Sequence, residues 1–305
     1  MQYTNLGRTG LSVSRVCFGC AAIGGYDYGP VNDEMSIAAL RQAVDEGINF
    51  FDVADVYGFG RSESLLRAAF GDNLNKIVVA TKFGVRWDNH GKTYRDISPR
   101  TMRIALEASL GRLGLESIPL YQVHWPDGKT LLDDCISELQ TCQDAGKIQH
   151  YGVCNLGETE VNHCQEAGRL ETIQLPYSLA ERQHTASLRA CQEHHGMSTM
   201  IYNALGHGLF TGKYNASSNF AGNDLRTRVQ LFKGEAFERG LEILAKLREV
   251  ADRHQRSCAE IALAWCLAQP SIDIVIAGAK TPQQVISNAK SSDCILPISD
   301  LSYLS

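Results

Sequence analysis

The sequence predicts a single α/β domain, a (β/α)8 barrel, and three observations support this prediction. Short apolar runs recur along the chain, and most are followed by a segment with apolar residues at helical spacing. The runs are continuously apolar, as expected of parallel strands that are buried on both faces. Eight such units fit into 305 residues with no segment that resembles an interdomain linker. We therefore expect residues 1–305 to form one barrel domain.

An N-terminal β-hairpin at residues 3–14, with the turn Gly7-Arg8-Thr9-Gly10, precedes the alternating elements. Strands are predicted at 15–19, 49–52, 77–82, 120–124, 150–155, 172–175, 199–202 and 274–277. Helices are predicted at 36–46, 62–70, 98–113, 131–145, 158–167, 185–194, 236–254, 258–268 and 282–290. Ser62 is the predicted N-cap of the second helix, a polar loop is expected after Lys82, and a longer polar stretch at 206–234 breaks the alternation.

A doubly wound sheet is the alternative fold for such an alternating pattern. It would need a Gly-x-Gly-x-x-Gly fingerprint after the first strand. The sequence there is Gly19-Cys20-Ala21-Ala22-Ile23-Gly24, which lacks the middle glycine. The barrel is therefore the favoured architecture.

Composition and charge exclude several classes of protein. The chain is 44% hydrophobic and 21% charged, which is ordinary for a globular protein with a large core. With 29 basic and 34 acidic residues the net charge is −5, so no basic surface for nucleic acid or an anionic membrane is indicated. The N-terminus shows no secretory pattern and no apolar run approaches 18 residues. We expect a cytoplasmic protein that acts on a small molecule.

The ten cysteines are scattered over the chain and are expected to be reduced and mostly buried. Cys17-Phe18-Gly19-Cys20 is formally a C-x-x-C motif, but no second pair follows at zinc spacing. In a strand its two cysteines would point to opposite faces. We interpret it as part of a strand and predict neither a redox motif nor a metal site.

Four ionisable side chains lie at the predicted C-terminal ends of three consecutive strands. Asp52, Lys82 and His124 end strands two, three and four, and Tyr57 lies on the loop after Asp52. The active site of an α/β barrel is built at this end of the strands. A carboxylate, a phenol, an ammonium and an imidazole in such positions can carry out proton transfer. The sequence therefore predicts a catalytic site formed by these four side chains.

The stretch Phe51-Asp52-Val53-Ala54-Asp55-Val56-Tyr57-Gly58-Phe59-Gly60-Arg61-Ser62-Glu63 resembles the signature of the aldo-keto reductase family. Later segments are similar to the family in the same order: Thr81-Lys82, Tyr121-Gln122-Val123-His124-Trp125-Pro126, Gly146-Lys147-Ile148, Gly152-Val153-Cys154-Asn155 and residues 205–213. The resemblance covers nearly the whole chain. It implies a TIM-barrel oxidoreductase that reduces an aldehyde or ketone with NADPH.

The resemblance also implies a role for each of the four residues. Tyr57 would be the general acid, and Lys82 would lower the pKa of a phenol that is ordinarily about 10. Asp52 would hold the lysine. His124 would orient the substrate carbonyl and stabilise the charge that develops on its oxygen.

The cofactor site is implied by the resemblance and by two local patterns, a glycine-rich loop at 205–213 and a helix start at Thr281-Pro282 suited to phosphate. Its predicted residues are Gly19, Cys20, Ala21, Asn155, Gln174, Tyr202, Asn203, Leu205, Gly206, Gly208, Thr211, Gly212, Lys213, Gly278, Lys280, Thr281, Gln284 and Asn288. Asn155 and Gln174 would hold the carboxamide, and Tyr202 would stack on the nicotinamide. Gln284 stands where some relatives carry arginine, so a preference for NADPH is expected to be moderate and NADH remains possible.

Four aromatic residues on loops of the active-site face are predicted to line the substrate pocket: Tyr26, Tyr28, Trp87 and Trp125. They would suit a compact ring such as a sugar or an aromatic carbonyl. Two alternative functions remain open. One is an aldose dehydrogenase that runs the same chemistry in reverse with NAD. The other is a non-catalytic barrel that binds the cofactor and regulates a partner protein.

Overall fold

Eight parallel strands close into a barrel in the computed structural model, which describes residues 1–25, 29–220, 222 and 224–305. The strands, hairpins included, are β1 (Tyr3–Asn5), β2 (Ser12–Ser14), β3 (Val16–Gly19), β4 (Phe50–Asp52), β5 (Val78–Phe83), β6 (Val85–Trp87), β7 (Thr93–Arg95), β8 (Ile118–Val123), β9 (Ile148–Cys154), β10 (Thr172–Pro176), β11 (Ser198–Tyr202) and β12 (Ile274–Gly278). The barrel runs β3-β4-β5-β8-β9-β10-β11-β12 and closes from β12 to β3. This confirms the predicted fold, including the hairpin β1–β2.

Helices surround the barrel, and the apolar positions at helical spacing explain why they form. Their bounds are α1 (Asp33–Asp45), α2 (Arg61–Phe70), α3 (Pro99–Leu113), α4 (Leu132–Asp144), α5 (Glu158–Ala167), α6 (Thr185–His195), α7 (Gly234–His254), α8 (Cys258–Leu267), α9 (Pro282–Lys290) and α10 (Ile298–Leu304). Ser98 caps α3 through its side chain, with proline in the first turn, as the sequence predicts. Gly146 follows α4 with a positive φ, as expected after a helix end.

The interior of the barrel is filled from its N-terminal end. A buried cluster joins hairpin residues Leu6 and Val13 to strand residues Cys17, Phe50, Ala80, Leu120, Met200, Ile274 and Ile276. The hairpin is fastened to the first residue of β11, because the Gly7 N–H donates to Ser198 Oγ at 2.6 Å. A second, larger buried cluster lies between the strands and the helices. The N-terminal end is therefore closed, and the C-terminal end carries the ionisable groups.

Three predicted details of the fold are wrong or incomplete. Helix α2 begins at Arg61 after Gly60, whose φ of 95° only glycine adopts readily, so Ser62 is not its N-cap. The Ser62 hydroxyl is buried inside the first turn and donates to the Cys20 carbonyl at 2.9 Å. The polar loop expected after Lys82 contains the hairpin β6–β7. Helix α10 was not predicted; its seven residues leave Ile298 exposed, which obscures the apolar spacing.

The ten cysteines are all free, as predicted, and eight of them are buried. Cys17 belongs to β3 as predicted, whereas Cys20 follows the strand, which ends at Gly19; both side chains are fully buried, and burial raises the pKa of both thiols. Within the described residues, no helix is long and apolar enough to cross a membrane.

The loop that carries Tyr57 is packed against the loop after β3 with no space between their backbones. A Cβ on Gly24 would lie 2.8 Å from the Tyr57 carbonyl carbon, and a Cβ on Gly58 would collide with the Gly24 carbonyl oxygen. Gly58 has a φ of +62°. The position of Tyr57 therefore depends on two facing glycines.

Gly58→Ala should cost about 2 kcal/mol more of unfolding free energy than Gly128→Ala, because overpacking adds to the left-handed strain. Gly128 is the matched control, since its φ is +70° and nothing lies within 4 Å of its Cβ position. Chemical denaturation of both variants measures the difference. Equal losses would show that the contact with Gly24 relaxes without cost.

Candidate active site

The four predicted catalytic residues come together at the C-terminal end of the barrel. Asp52 is the last residue of β4, and Lys82 lies near the end of the neighbouring strand β5. His124 follows β8, and its backbone N–H donates to the Phe83 carbonyl at 2.8 Å. Tyr57 lies on the loop between β4 and α2. Parallel neighbouring strands end at one rim, which is why residues far apart along the chain, such as Lys82 and His124, can share a site.

Lys82 and Asp52 form a buried ion pair. Lys82 Nζ lies 2.6 Å from Asp52 Oδ1, with side-chain exposures of 0% and 4%, and it also donates to the Val53 carbonyl at 2.9 Å. Burial alone would lower the pKa of Lys82, but the negative charge of Asp52 and the proximity of Tyr57 outweigh it and raise the pKa above the ordinary lysine value. The lysine is therefore a fixed cation at the base of the site.

The phenol ring of Tyr57 lies close to both this cation and the imidazole of His124. Lys82 Nζ is 5.1 Å from the centre of the Tyr57 ring. The Tyr57 and His124 rings meet edge to face, with 5.7 Å between their centres and 84° between their planes. Burial lowers the pKa of His124 well below the ordinary histidine value, and the charges of Lys82 and Arg95 lower it further. His124 is therefore neutral at physiological pH.

Three polar side chains extend the site from Asp52 and His124 toward β11. Gln174 Nε2 donates to Asp52 Oδ2 at 2.8 Å, so the second carboxylate oxygen is also used. Asn155 Nδ2 donates to the His124 carbonyl at 2.9 Å, and Asn155 Oδ1 accepts the Tyr202 hydroxyl at 2.8 Å. The predicted carboxamide and nicotinamide residues thus adjoin the catalytic group.

The predicted glycine-rich loop folds into a short 3-10 segment, Gly206–Thr211, directly after β11. The Gly206 N–H donates to the Asn203 carbonyl at 2.7 Å, the Gly208 N–H donates to the Leu205 carbonyl at 2.9 Å, and the Thr211 hydroxyl donates to the Gly208 carbonyl at 2.7 Å. Asn203 has a φ of 62° and Gly208 a φ of 94°, so the loop reverses sharply. The loop ends at Gly212, which is also left-handed, followed by Lys213.

Three cations lie close together beside this loop. Burial lowers the pKa of Lys280, and the charges of Lys213 and Arg226 lower it further, against the opposing charge of Asp224. Arg226 is placed by hydrogen bonds to the His207 carbonyl at 2.9 Å and to Asp224 at 2.8 Å. Among the described residues, Asp224 is the carboxylate whose charge acts on Lys280, and a group of cations at Lys213, Arg226 and Lys280 is suited to a phosphate. Arg226 is not among the residues predicted from the sequence, because it lies in a polar stretch with no periodicity.

The N-terminus of α9 lies next to Lys280. Thr281 caps the helix, and the Gln284 side chain accepts the Lys280 backbone N–H at 2.7 Å. Asn288 Nδ2 donates to the Gly278 carbonyl at 3.3 Å and fixes α9 to the end of β12. Gln284 therefore shapes the turn that presents Lys280.

The remaining predicted cofactor residues are on the strands that close the barrel. Gly19 ends β3 and is paired in register with Gly278 at the end of β12. Cys20 and Ala21 follow Gly19; the Cys20 side chain is fully buried, and its backbone N–H donates to the Asp52 carbonyl at 2.8 Å. Gly19 and Cys20 therefore lie beside Asp52, and contact of these positions with a cofactor stays a prediction.

Two of the four predicted substrate aromatics, Trp87 and Trp125, lie on the hairpin β6–β7 and on the loop after β8. The Trp87 ring lies 5.3 Å from the Phe59 ring, and the Arg86 guanidinium lies 5.0 Å from the Trp87 ring centre. Arg95 lies 4.5 Å above the Trp125 ring. Tyr26 and Tyr28 lie outside the described residues.

The fold and this site together define an α/β-barrel oxidoreductase. The sequence profile of the aldo/keto reductase family matches residues 15–305, and the chain therefore belongs to that family. It is 34% identical to "Aldo-keto reductase YhdN" of Bacillus subtilis over 93% of this chain and 87% of that protein. It is an enzyme of the NAD(P)H-dependent aldo-keto reductase class, whose members reduce carbonyls.

Other relatives differ in cofactor. "Aldo-keto reductase yakc [NADP(+)]" of Schizosaccharomyces pombe is 30% identical over 91% of this chain and 83% of that protein. The "NADH-specific methylglyoxal reductase" of Escherichia coli is 28% identical over 100% and 97%. A solved structure, the glycerol dehydrogenase AKR11B4 of Gluconobacter oxydans, is 35% identical with a TM-score of 0.91 over 99% of this chain and 93% of that chain.

Breaking the buried pair from either side should destabilise the fold. Asp52→Leu and Lys82→Met should each cost about 3–5 kcal/mol of unfolding free energy, because each leaves one buried group without its partner. The double variant should recover most of that loss, since it removes both charges. Unfolding free energies of the wild type, the two single variants and the double variant, measured with denaturant, form a double-mutant cycle. Additive losses in the double variant would show that the two groups do not interact.

Proposed function

We propose that this chain reduces an aldehyde or ketone with NADPH, and that Tyr57 donates the proton to the carbonyl oxygen. The observation that carries the proposal is the fully buried Lys82 ammonium, held at 2.6 Å by Asp52 and 5.1 Å from the Tyr57 ring centre. A phenol beside a fixed cation loses its proton more readily than a free phenol, because the cation stabilises the phenolate. The site can therefore supply a proton at neutral pH.

His124 completes the proton-transfer machinery in this proposal. Its depressed pKa keeps the imidazole neutral, so it can donate one hydrogen bond without competing with Tyr57 as a proton source. Its Nδ1 is buried and has no hydrogen-bond partner in the described part of the chain. We therefore assign the N–H that faces the substrate oxygen to Nε2. The edge-to-face contact between the His124 and Tyr57 rings supports the proposal that both groups act on the same substrate oxygen.

The residues present fit a nicotinamide dinucleotide phosphate. Lys213, Arg226 and Lys280 support this fit, because the charges of the first two act on Lys280 and a phosphate beside the three side chains would be attracted by all of them. Asn155 and Gln174 would hold the carboxamide, Tyr202 would support the ring, and the loop at 203–213 would hold the pyrophosphate. The bound cofactor supplies the hydride that reduces the carbonyl carbon.

A dehydrogenase acting in the opposite direction is the second candidate, because the same groups accept a proton as readily as they donate one. The similar solved structure from Gluconobacter oxydans is that of a glycerol dehydrogenase, which favours a hydroxylated substrate for that direction. The regulatory alternative, a barrel that binds cofactor without turnover, is opposed by the complete set of four catalytic residues. Assays with carbonyls, polyols and sugars, with both cofactors, separate the three functions.

Tyr57→Phe should reduce turnover by at least about 10²–10⁴-fold, the contribution of one general acid. Cofactor affinity should stay within about twofold, because the aromatic ring remains. Steady-state rates and cofactor titration by fluorescence measure the two effects. A phenylalanine variant with normal turnover would contradict the proposed proton donor, and a wild-type protein that binds cofactor but reduces no carbonyl would favour the regulatory function.

The wild type should bind NADPH about ten- to a hundredfold more tightly than NADH, as one charge-assisted contact to the 2′-phosphate would give. Lys280→Met should erase most of that ratio by weakening NADPH alone. Lys290→Met is the matched control, because Lys290 is an exposed lysine at the far end of the same helix. Equal affinity for both cofactors in the wild type, or an unchanged ratio in the Lys280 variant, would instead indicate an NAD-dependent enzyme.

A further inference from the structure

We propose that Asp55 and Arg86 are positioning residues that hold the Tyr57 loop in its reactive geometry by clamping it to the hairpin β6–β7. The inference rests on the proposed role of Tyr57 and adds two residues outside the four catalytic ones. Asp55 and Phe59 lie two residues before and two residues after Tyr57, and each of them contacts the hairpin. The hairpin therefore holds the loop on both sides of the proton donor.

The clamp consists of two contacts from adjacent hairpin residues. Arg86 Nη1 pairs with Asp55 Oδ2 at 3.2 Å, and the Asp55 side chain is fully buried while that of Arg86 is 21% exposed. The Trp87 ring packs on the Phe59 ring with 5.3 Å between centres. Arg86 also lies 5.0 Å from the Trp87 ring, so the ion pair and the aromatic contact support each other.

The loop needs such support because its backbone is strained next to Tyr57. Gly58 and Phe59 are both left-handed, with φ values of 62° and 56°. A phenylalanine in this region costs of order 1 kcal/mol and persists only where its surroundings hold it. The opposite side of the loop is already closed by Gly24. Removal of the hairpin contacts would take away part of the support of Phe59, and a shift of Phe59 would carry Tyr57 away from Lys82.

Asp55 belongs to a buried ionic cluster behind the loop. Glu63 on α2 bonds to Arg112 on α3 at 2.6 Å and to the Thr81 hydroxyl at 2.7 Å. The Tyr121 hydroxyl of β8 is buried beside the two carboxyl groups and has no hydrogen-bond partner within the described residues, and Asp55 Oδ1 is likewise unpartnered there. The groups that face Asp55 are therefore Glu63, Arg86, Arg112 and Tyr121.

This environment makes the clamp sensitive to pH. Burial and the charge of Glu63 raise the pKa of Asp55 to about 7, although Arg86 and Arg112 oppose them. Protonation below that pH removes the charge that Arg86 binds and loosens the clamp. Turnover should therefore fall as the pH drops through about 7. Lys82, with a raised pKa, and His124, with a strongly depressed one, do not change charge in this range.

Protonation of Asp55 should raise the unfolding free energy, although it lowers turnover. A carboxyl group with a raised pKa binds its proton more tightly in the folded state, so its contribution to stability decreases as the pH rises from about 4 to about 7. Between these values the wild type should become slower but more stable as acid is added. If Asp55 had only a structural role, its protonation would lower turnover and stability together.

The test compares Arg86→Lys, Arg86→Met and Asp55→Asn with Lys92→Met, an exposed control on the same hairpin. Each is assayed for kcat and KM between about pH 5.5 and 8.5, for cofactor affinity, and for unfolding free energy. Arg86→Met should lower kcat by about 10–100-fold at high pH, because a shift of about 1 Å can cost that much, and Arg86→Lys should lose less. Cofactor affinity should not change.

Asp55→Asn should give a kcat that no longer falls below neutral pH and that equals the acid-limb plateau of the wild type. It should also lose the opposing pH dependence of stability. An unchanged acid limb in Asp55→Asn, or an Arg86→Met variant as fast as Lys92→Met, would overturn the proposal. If Arg86→Met does not fold, Arg86→Lys and Asp55→Asn decide it by the same criteria. A Tyr57→Phe variant with normal turnover would instead refute the proton donor itself.

Discussion

The pairing of Lys82 with Asp52 inside the barrel is the interaction on which the site depends. Either charge would be strongly destabilising if it were fully buried without its partner, because it would lose its hydration and gain no compensating electrostatic interaction. The pair is satisfied by a second acceptor for the lysine, the Val53 carbonyl, and a second donor for the carboxylate, Gln174. The ammonium is therefore locked in place before any substrate arrives, so the protein need not reorganise during the reaction.

This pair is in contact with Gln174 and lies beside the Tyr57 ring. Tyr57 and His124 lie against the lysine side, and Gln174 leads from the carboxylate side toward Asn155 and Tyr202. The residues proposed for proton transfer and those proposed for nicotinamide binding are thus connected by direct contacts. A change in the orientation of Gln174 would move Asp52, and Asp52 would in turn move Lys82 beside the Tyr57 ring.

The repeating strands and helices, and the residues at the ends of the strands, could be predicted from the sequence. The strands and helices recur with clear apolar patterns, and Asp52, Lys82 and His124 end their strands, so their convergence follows from barrel geometry alone. Gln174 was predicted to face the carboxamide, whereas its bond to Asp52 could not be foreseen, because it spans 122 positions of the chain. Arg86 and Arg226 were missed for a related reason. Both lie in polar segments, where only the folded contacts distinguish an arginine that positions a loop or a ligand from a solvated one.

The hairpin β1–β2 stabilises the barrel at the end opposite to the predicted catalytic residues, so stability and chemistry depend on different ends of the fold. Leu6 and Val13 fill the bottom of the barrel interior, and the Ser198 contact fastens the hairpin to β11. The hairpin thus closes the barrel at the end opposite to the proposed active site. Loops at the other rim can lengthen, shorten or exchange side chains with little effect on the closure of the barrel. Proteins with this fold can therefore change their active-site loops at one end of the barrel while they keep the packing at the other end.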